Sequence, residues 1–240
     1  MTSVLAVWLG SVGLADLVAD LSGHPSSRAR SIAGVAVGVV AAAGGALVLG
    51  HGAGTSLFLA LVVAATLAGW LGLRVARGWS RRRGILTFWW LAASVGLVVA
   101  TLGRWPAPGE SAFARWFDDV PFALTAGPPE EAALVLGWLL FLAATSNGIV
   151  RVVLASVERD VPSGAEPLKG GRIIGPMERW LIFGLVLAGA ATAAGLVVGA
   201  KGLIRYAEIR GAEIEWKTEY LLVGSLTSWL LALLPVLLVR

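Results

Sequence analysis

The sequence predicts an all-α protein, a polytopic transmembrane helical bundle of about seven spans with its N-terminus outside and its C-terminus inside. Three observations predict it. Hydrophobic residues make up 57% of the 240 and charged residues only 14%, where a soluble domain carries about a quarter charged; mean hydropathy is +0.81. Apolar runs of about 20 residues, the length that crosses a bilayer at about 1.5 Å per residue, recur along the chain without the period-two alternation of barrel strands. Basic residues, finally, gather in alternate connections.

Taken in order, the first span is 3–20. MTSVLAVWLGSVGLADLVADL has no basic residue ahead of its apolar run, so a cleaved secretory signal is not expected and the segment reads as a retained helix. Asp16 and Asp20 shorten its clean apolar stretch. The next three spans fall at 31–50, 56–74 and 85–103. The connection after them contains SAFARWFDDV, with Phe113, Trp116 and Phe117 at i, i+3 and i+4. That spacing predicts a short interfacial helix near 111–120 on the outer surface. Spans at 131–151, 177–200 and 219–239 complete the set. All of 1–240 is then one integral membrane domain, with a four-span half at 1–130 and a three-span half at 131–240. Small residues at helical spacing (Gly34 and Gly38, Ala65 and Gly69, Gly195 and Gly199, Gly224 and Ser228) predict close helix approach within the chain, or a face for a homo-oligomer.

Charge sets the expected orientation. Arg28 and Arg30 follow the first span, and Arg74, Arg77, Arg81, Arg82 and Arg83 follow the third. Arg151, Arg159, Lys169, Arg172 and Arg179 follow the fifth. With Arg240, the side holding these carries 13 of 19 basic residues, and the positive-inside rule makes it cytoplasmic. The RVARGWSRRR connection is the strongest vote, and Arg74, Arg77, Arg81, Arg82 and Arg83 are expected to contact anionic lipid headgroups at about 1 kcal/mol each. The pI near 10.1 is thus referred to membrane lipid, with no nucleic-acid partner expected.

The polar residues are few. Gly175 and Pro176 in GRIIGPMERWLIF suit an N-cap and first helical position; Glu178 then lies in a first turn, favoured by the helix dipole, and Arg179 snorkels at the lip. A sharper reading gathers Asp16, Asp20, Asn147, Arg151, Arg172, Glu178 and Arg179 into a cytoplasmic-leaflet polar pocket, because a carboxylate beside an arginine costs less in a bilayer than either alone. Glu178 and Lys201 are 23 residues apart, about 35 Å of continuous helix, so Lys201, Arg205, Glu208 and Glu219 form a second, outer cluster. Thr218 is expected to cap the last span, with Tyr220 as an interfacial anchor and Ser225, Thr227 and Ser228 bonding within or across helices. No metal site is expected. Asp16, Asp20 and His24 share a spacing of four, but Gly23 and Pro25 interrupt the helix before His24 and no second ligand cluster completes a shell.

GRIIGPMERWLIF, AKGLIRYAEI and TEYLLVGSLTS together resemble the C-terminal half of a family of uncharacterised bacterial multi-pass membrane proteins. Its pattern is GR-x-IG-x-x-ER, then K-x-x-x-R, then EY-x-x-x-G-[ST]. The matching positions are Gly171, Arg172, Gly175, Glu178, Arg179, Lys201, Arg205, Glu219, Tyr220, Gly224 and Ser225, and the preceding TSNGIVR extends the likeness over about 145–230. The resemblance implies a helical fold in the plasma membrane of a bacterium, consistent with the Ala, Gly, Val and Arg bias; it implies no activity, substrate or cofactor.

Function classes narrow accordingly. With no cysteine and only His24 and His51, thiolate chemistry is excluded and most acid–base or metal sets are disfavoured. The last span has no lysine for a Schiff base, and neither histidine lies in a span to ligate haem. No cofactor is expected. A non-enzymatic transporter or lipid-interacting protein leads; a structural or partner subunit comes second, a membrane-embedded enzyme third.

Overall fold

A computed structural model describes residues 2–20, 28–75, 81–119, 127–157, 171–210 and 215–236, and among these every regular element is helical. The chain forms two compact units, Met1–Thr145 and Ser146–Arg240. Among the described residues, four helices are long and apolar enough to cross a membrane, or five if the bent pair Pro129–Ala143 and Thr145–Ala155 counts as one span.

In the first unit, α1 (Thr2–Asp20) is the central rod and packs most extensively against α6 (Pro129–Ala143) and α2 (Arg28–Val48). Its sequence explains this: Gly10 and Gly13 remove side chains where α6 crosses. A Cβ on Gly13 would stand 2.6 Å from the carbonyl carbon of Leu140, and one on Gly137 would stand 2.6 Å from Ala6 O. Gly34 approaches Ala15 O in the same way from α2, and Gly38 meets Leu67 and Ser11. The expected Gly34–Gly38 face is therefore a real packing seam, while a Cβ on Gly195 or Gly199 would meet no atom of another element within 4 Å among the described residues. Next come α3 (Ala53–Val75) and α4 (Arg81–Thr101), joined laterally by the Trp90 indole, whose Nε1 donates to Thr66 O at 3.1 Å. A 3-10 turn at Leu102–Arg104 ends α4.

The predicted amphipathic segment forms α5 (Ala112–Asp119). Ser111 caps it, its Oγ accepting from Ala114 N at 3.1 Å and donating to Val48 O at 3.1 Å. Phe113 touches both Trp116 and Phe117, so the three aromatic rings share one face.

His51 lies between α2 and α3 with Nε2 3.0 Å from Ser3 Oγ. Burial holds its pKa below the ordinary 6.5, so the folded chain favours the neutral ring. The stability this contributes is complete above about pH 6.5 and is lost as pH falls below it, because the unfolded state then binds the extra proton. Between about pH 7 and pH 5 the wild-type Tm is expected to fall relative to that of His51→Gln, which has no imidazole to titrate. Parallel Tm–pH curves for the two proteins would refute this.

The second unit departs from the expectation in its connectivity. It comprises α7 from Ser146 onward (the helix runs Thr145–Val157), α8 (Gly171–Leu187), α9 (Ala191–Arg210) and α10 (Glu215–Leu233). The apolar run 177–200 is not one span. Gly189 takes φ +77, Ala190 N donates to Leu185 O at 2.8 Å and Gly189 N to Val186 O at 3.0 Å. These two bonds are the Schellman termination, which uses a left-handed glycine to close a helix end. The chain then reverses, and α9 packs back along α8. Gly175 is not an N-cap either: α8 begins at Gly171 and carries Pro176 inside it. Glu178 is therefore two turns into the helix, beyond the reach of the dipole argument. Thr218 likewise lies within α10 rather than capping it. Above the polar residues, Ile182, Ala194 and Ala232 form a buried apolar core with Leu185, Val186, Val197, Val198 and Trp229 packed around it.

Candidate functional site

The hairpin decides the site. Glu178 is nine residues before the end of α8 and Lys201 ten residues after the start of α9, so each stands about 14–15 Å from the turn. Antiparallel packing brings them face to face, and Lys201 Nζ forms a salt bridge with Glu178 Oε2. The expected separation of about 35 Å is thus overturned, because the helix that would impose it stops at Leu187. The inner and outer clusters share one ion pair.

Glu178 is buried and uses both carboxylate oxygens: Oε1 accepts from Trp229 Nε1 at 3.1 Å. Arg179, one residue on and about 100° around the helix, faces other partners. Its Nη1 donates to Ser228 Oγ at 3.0 Å and its Nη2 to Asn147 Oδ1 at 2.5 Å. The guanidinium is 1% exposed. Neighbouring residues on α8 are matched by neighbouring residues on α10, Ser228 for Arg179 and Trp229 for Glu178. Gly175 makes room: a Cβ there would stand 3.3 Å from Arg179 Nη1 and 3.4 Å from Asn147 Oδ1. Four helices thus contribute to one polar core, Asn147 from α7, Glu178 and Arg179 from α8, Lys201 from α9, and Ser228 and Trp229 from α10.

Of the predicted residues, Asn147, Glu178, Arg179 and Lys201 come together. Arg151 is exposed, and its Nε donates to Asn147 O one turn back at 3.3 Å. Asp16 belongs to the first unit, where it is fully buried and both its oxygens accept from Trp70 Nε1, at 3.0 and 2.8 Å. Asp20 is half-buried at the end of α1. Arg82 is exposed and Arg83 half-buried at the start of α4. The side chains of Arg74, Arg81, Arg172, Arg205, Glu208 and Glu219 lie outside the described set, as do residues Arg77 and His24. Among the described residues no three His, Cys, Asp or Glu side chains gather to hold a metal ion.

Sequence reasoning anticipated that Ser225, Thr227 and Ser228 would bond within or across helices; Ser228 does so across, to Arg179, and Thr227 within, its Oγ1 donating to Val223 O at 2.8 Å. It missed Trp229 and Trp70. The available signal was chemical, since a buried indole N–H needs an acceptor and the carboxylates in the spans were the scarce strong ones.

Chemically, the core offers one carboxylate, one ammonium and one guanidinium on neighbouring residues and their partners, held by amide, hydroxyl and indole groups. Such a set can bind a charged group between helices or can lock the helices together. No protein family, curated protein or solved structure matches the chain.

Proposed function

We propose that this chain is an integral membrane protein that holds an anionic headgroup or small charged solute at the Asn147–Glu178–Arg179–Lys201 core, in transport or lipid handling rather than catalysis. The Glu178–Lys201 bridge carries the reading. Ionisable side chains inside membrane helices are expensive and mark ligand paths by default. The family resemblance, the bacterial plasma membrane as its location and anionic lipid as its partner belong to the same proposal.

The proposed orientation changes with the hairpin. If α8 and α9 enter and leave on one side, Lys201, Arg205, Arg210 and Lys217 join the face of the RVARGWSRRR connection, and Arg240 leaves it. Only Arg104, Arg115 and Arg240 of the 19 basic residues then lie opposite, a stronger bias than a single sixth span gives. Since the chain has no cysteine, single cysteines report cleanly. Ser80→Cys, Ser163→Cys and Ala212→Cys are expected to label from the same, cytoplasmic side. Labelling of positions 163 and 212 from opposite sides would restore the single span.

A second reading is favoured by one observation: Glu178 has both oxygens engaged by protein donors, as a structural lock would. The binding reading expects anionic lipid to co-purify and to be lost in folded Arg179→Gln. Lipid retained by that variant would favour a scaffold or partner subunit.

A further inference from the structure

In the first unit, α3 and α4 are antiparallel neighbours. Their arginine-rich connection lies at one end; at the other a cleft of about 340 Å³ opens between the start of α3 and the end of α4. Gly54, Thr55 and Phe58 form one wall and Thr101, Arg104 and Trp105 the other. The volume falls within the roughly 300–1,000 Å³ of small-ligand sites.

Two features give the cleft a chemical character. The first is an aromatic pair, one ring from each wall, fixed in place. The Phe58 and Trp105 rings lie 5.5 Å apart between centroids, and Trp105 Nε1 donates to Thr101 Oγ1 at 3.1 Å. Thr101 Oγ1 in turn donates to Leu97 O at 2.8 Å, so the indole is tied to the α4 backbone. Phe58 nonetheless remains 58% exposed, a large ring left facing outward beside the cleft. The second feature is an uncommitted cation. Arg104 is exposed, and its guanidinium forms no hydrogen bond or ion pair with the described residues.

We propose that this cleft seats an anionic phospholipid from the leaflet opposite the arginine-rich connection. The Arg104 guanidinium takes the phosphate, and Phe58 and Trp105 cover the glycerol and first methylenes. An aromatic pair with a single cation beside it complements an amphiphile of opposite charge. A small soluble anion would use Arg104 but leave the rings in water. The depth agrees: the 21 residues of α4 measure about 31 Å, one hydrocarbon thickness from the arginines at its start. Tryptophan and arginine are the side chains that settle at that boundary, ring at headgroup level and charge toward phosphate. The inference rests on membrane insertion but not on the polar core of the second unit.

Native mass spectrometry of the full chain in neutral detergent tests it, titrating short-chain phosphatidylglycerol, phosphatidylcholine and inorganic phosphate. Arg104→Gln is expected to weaken phosphatidylglycerol binding about fivefold, the share of one interfacial basic residue, and to leave phosphatidylcholine unchanged. Phe58→Ala weakens both lipids. Arg115→Gln, an exposed arginine on α5 outside the cleft, changes neither. An unaltered phosphatidylglycerol affinity in Arg104→Gln would overturn the proposal. So would an equal loss in Arg115→Gln, which would mean diffuse surface charge, or displacement of the lipid by equimolar phosphate, which would mean a plain anion site. Should Arg104→Gln not fold, Arg104→Lys keeps the charge and is expected to keep the preference; its loss there overturns the proposal as well. Failure of insertion itself would appear in the cysteine labelling, so the two failures are distinguishable.

Discussion

Lys201→Met is expected to destabilise the second unit by about 3–5 kcal/mol, because it leaves the buried Glu178 carboxylate without its cation. Glu178→Gln should cost a similar amount, stranding the ammonium. The double variant Glu178→Gln/Lys201→Met should recover most of the loss: apolar and amide groups of similar volume remove the desolvation cost along with the attraction. A double-mutant cycle in mixed-micelle unfolding gives the coupling directly. Coupling near zero would mean that the two groups do not meet, and the hairpin would lose its strongest support. Arg179→Gln tests the adjacent half of the core, and its effect should combine non-additively with Ser228→Ala, since Ser228 Oγ accepts from Arg179 Nη1.

Gly13→Ala should be nearly as damaging, at about 3 kcal/mol, the upper end of the overpacking range. The added methyl would meet the Leu140 carbonyl and Phe141 N, which are backbone atoms that cannot rotate aside. Gly137→Ala should behave alike against Ala6 O. Gly44→Ala and Gly199→Ala, whose added methyl meets no other element within 4 Å among the described residues, are expected to be neutral or to gain up to about 1 kcal/mol of helix propensity. Equal losses at all four positions would show that helix contact has no part in the effect. Both predictions concern seams inside a unit; in the proposed membrane setting lipid gives no hydrophobic drive between helices, and the fit between them has to supply the attraction.

Much of this was legible beforehand. Helical class, the amphipathic turn of Phe113, Trp116 and Phe117, and the packing face of Gly34 and Gly38 follow from period and residue size. The hairpin did not. Gly189 is one of 31 glycines, and Gly184, Gly195 and Gly199 beside it sit within helices. Nothing in the local pattern distinguishes the one that turns left-handed. The start of α8 was hidden similarly, since Gly175–Pro176 carries the usual signature of a helix entry and yet lies inside one.

The sequence by itself determined that the chain is helical, that its helices are apolar on most sides, and that very few charges are available to be buried. Only the tertiary structure decided which of those charges meet. Hydropathy measures how long an apolar run is and carries no information on its direction, so 24 such residues describe one rod or two antiparallel ones equally well. The choice was made by a glycine turn that satisfies its own carbonyls, together with the cost of burying the Glu178 carboxylate away from the Lys201 ammonium.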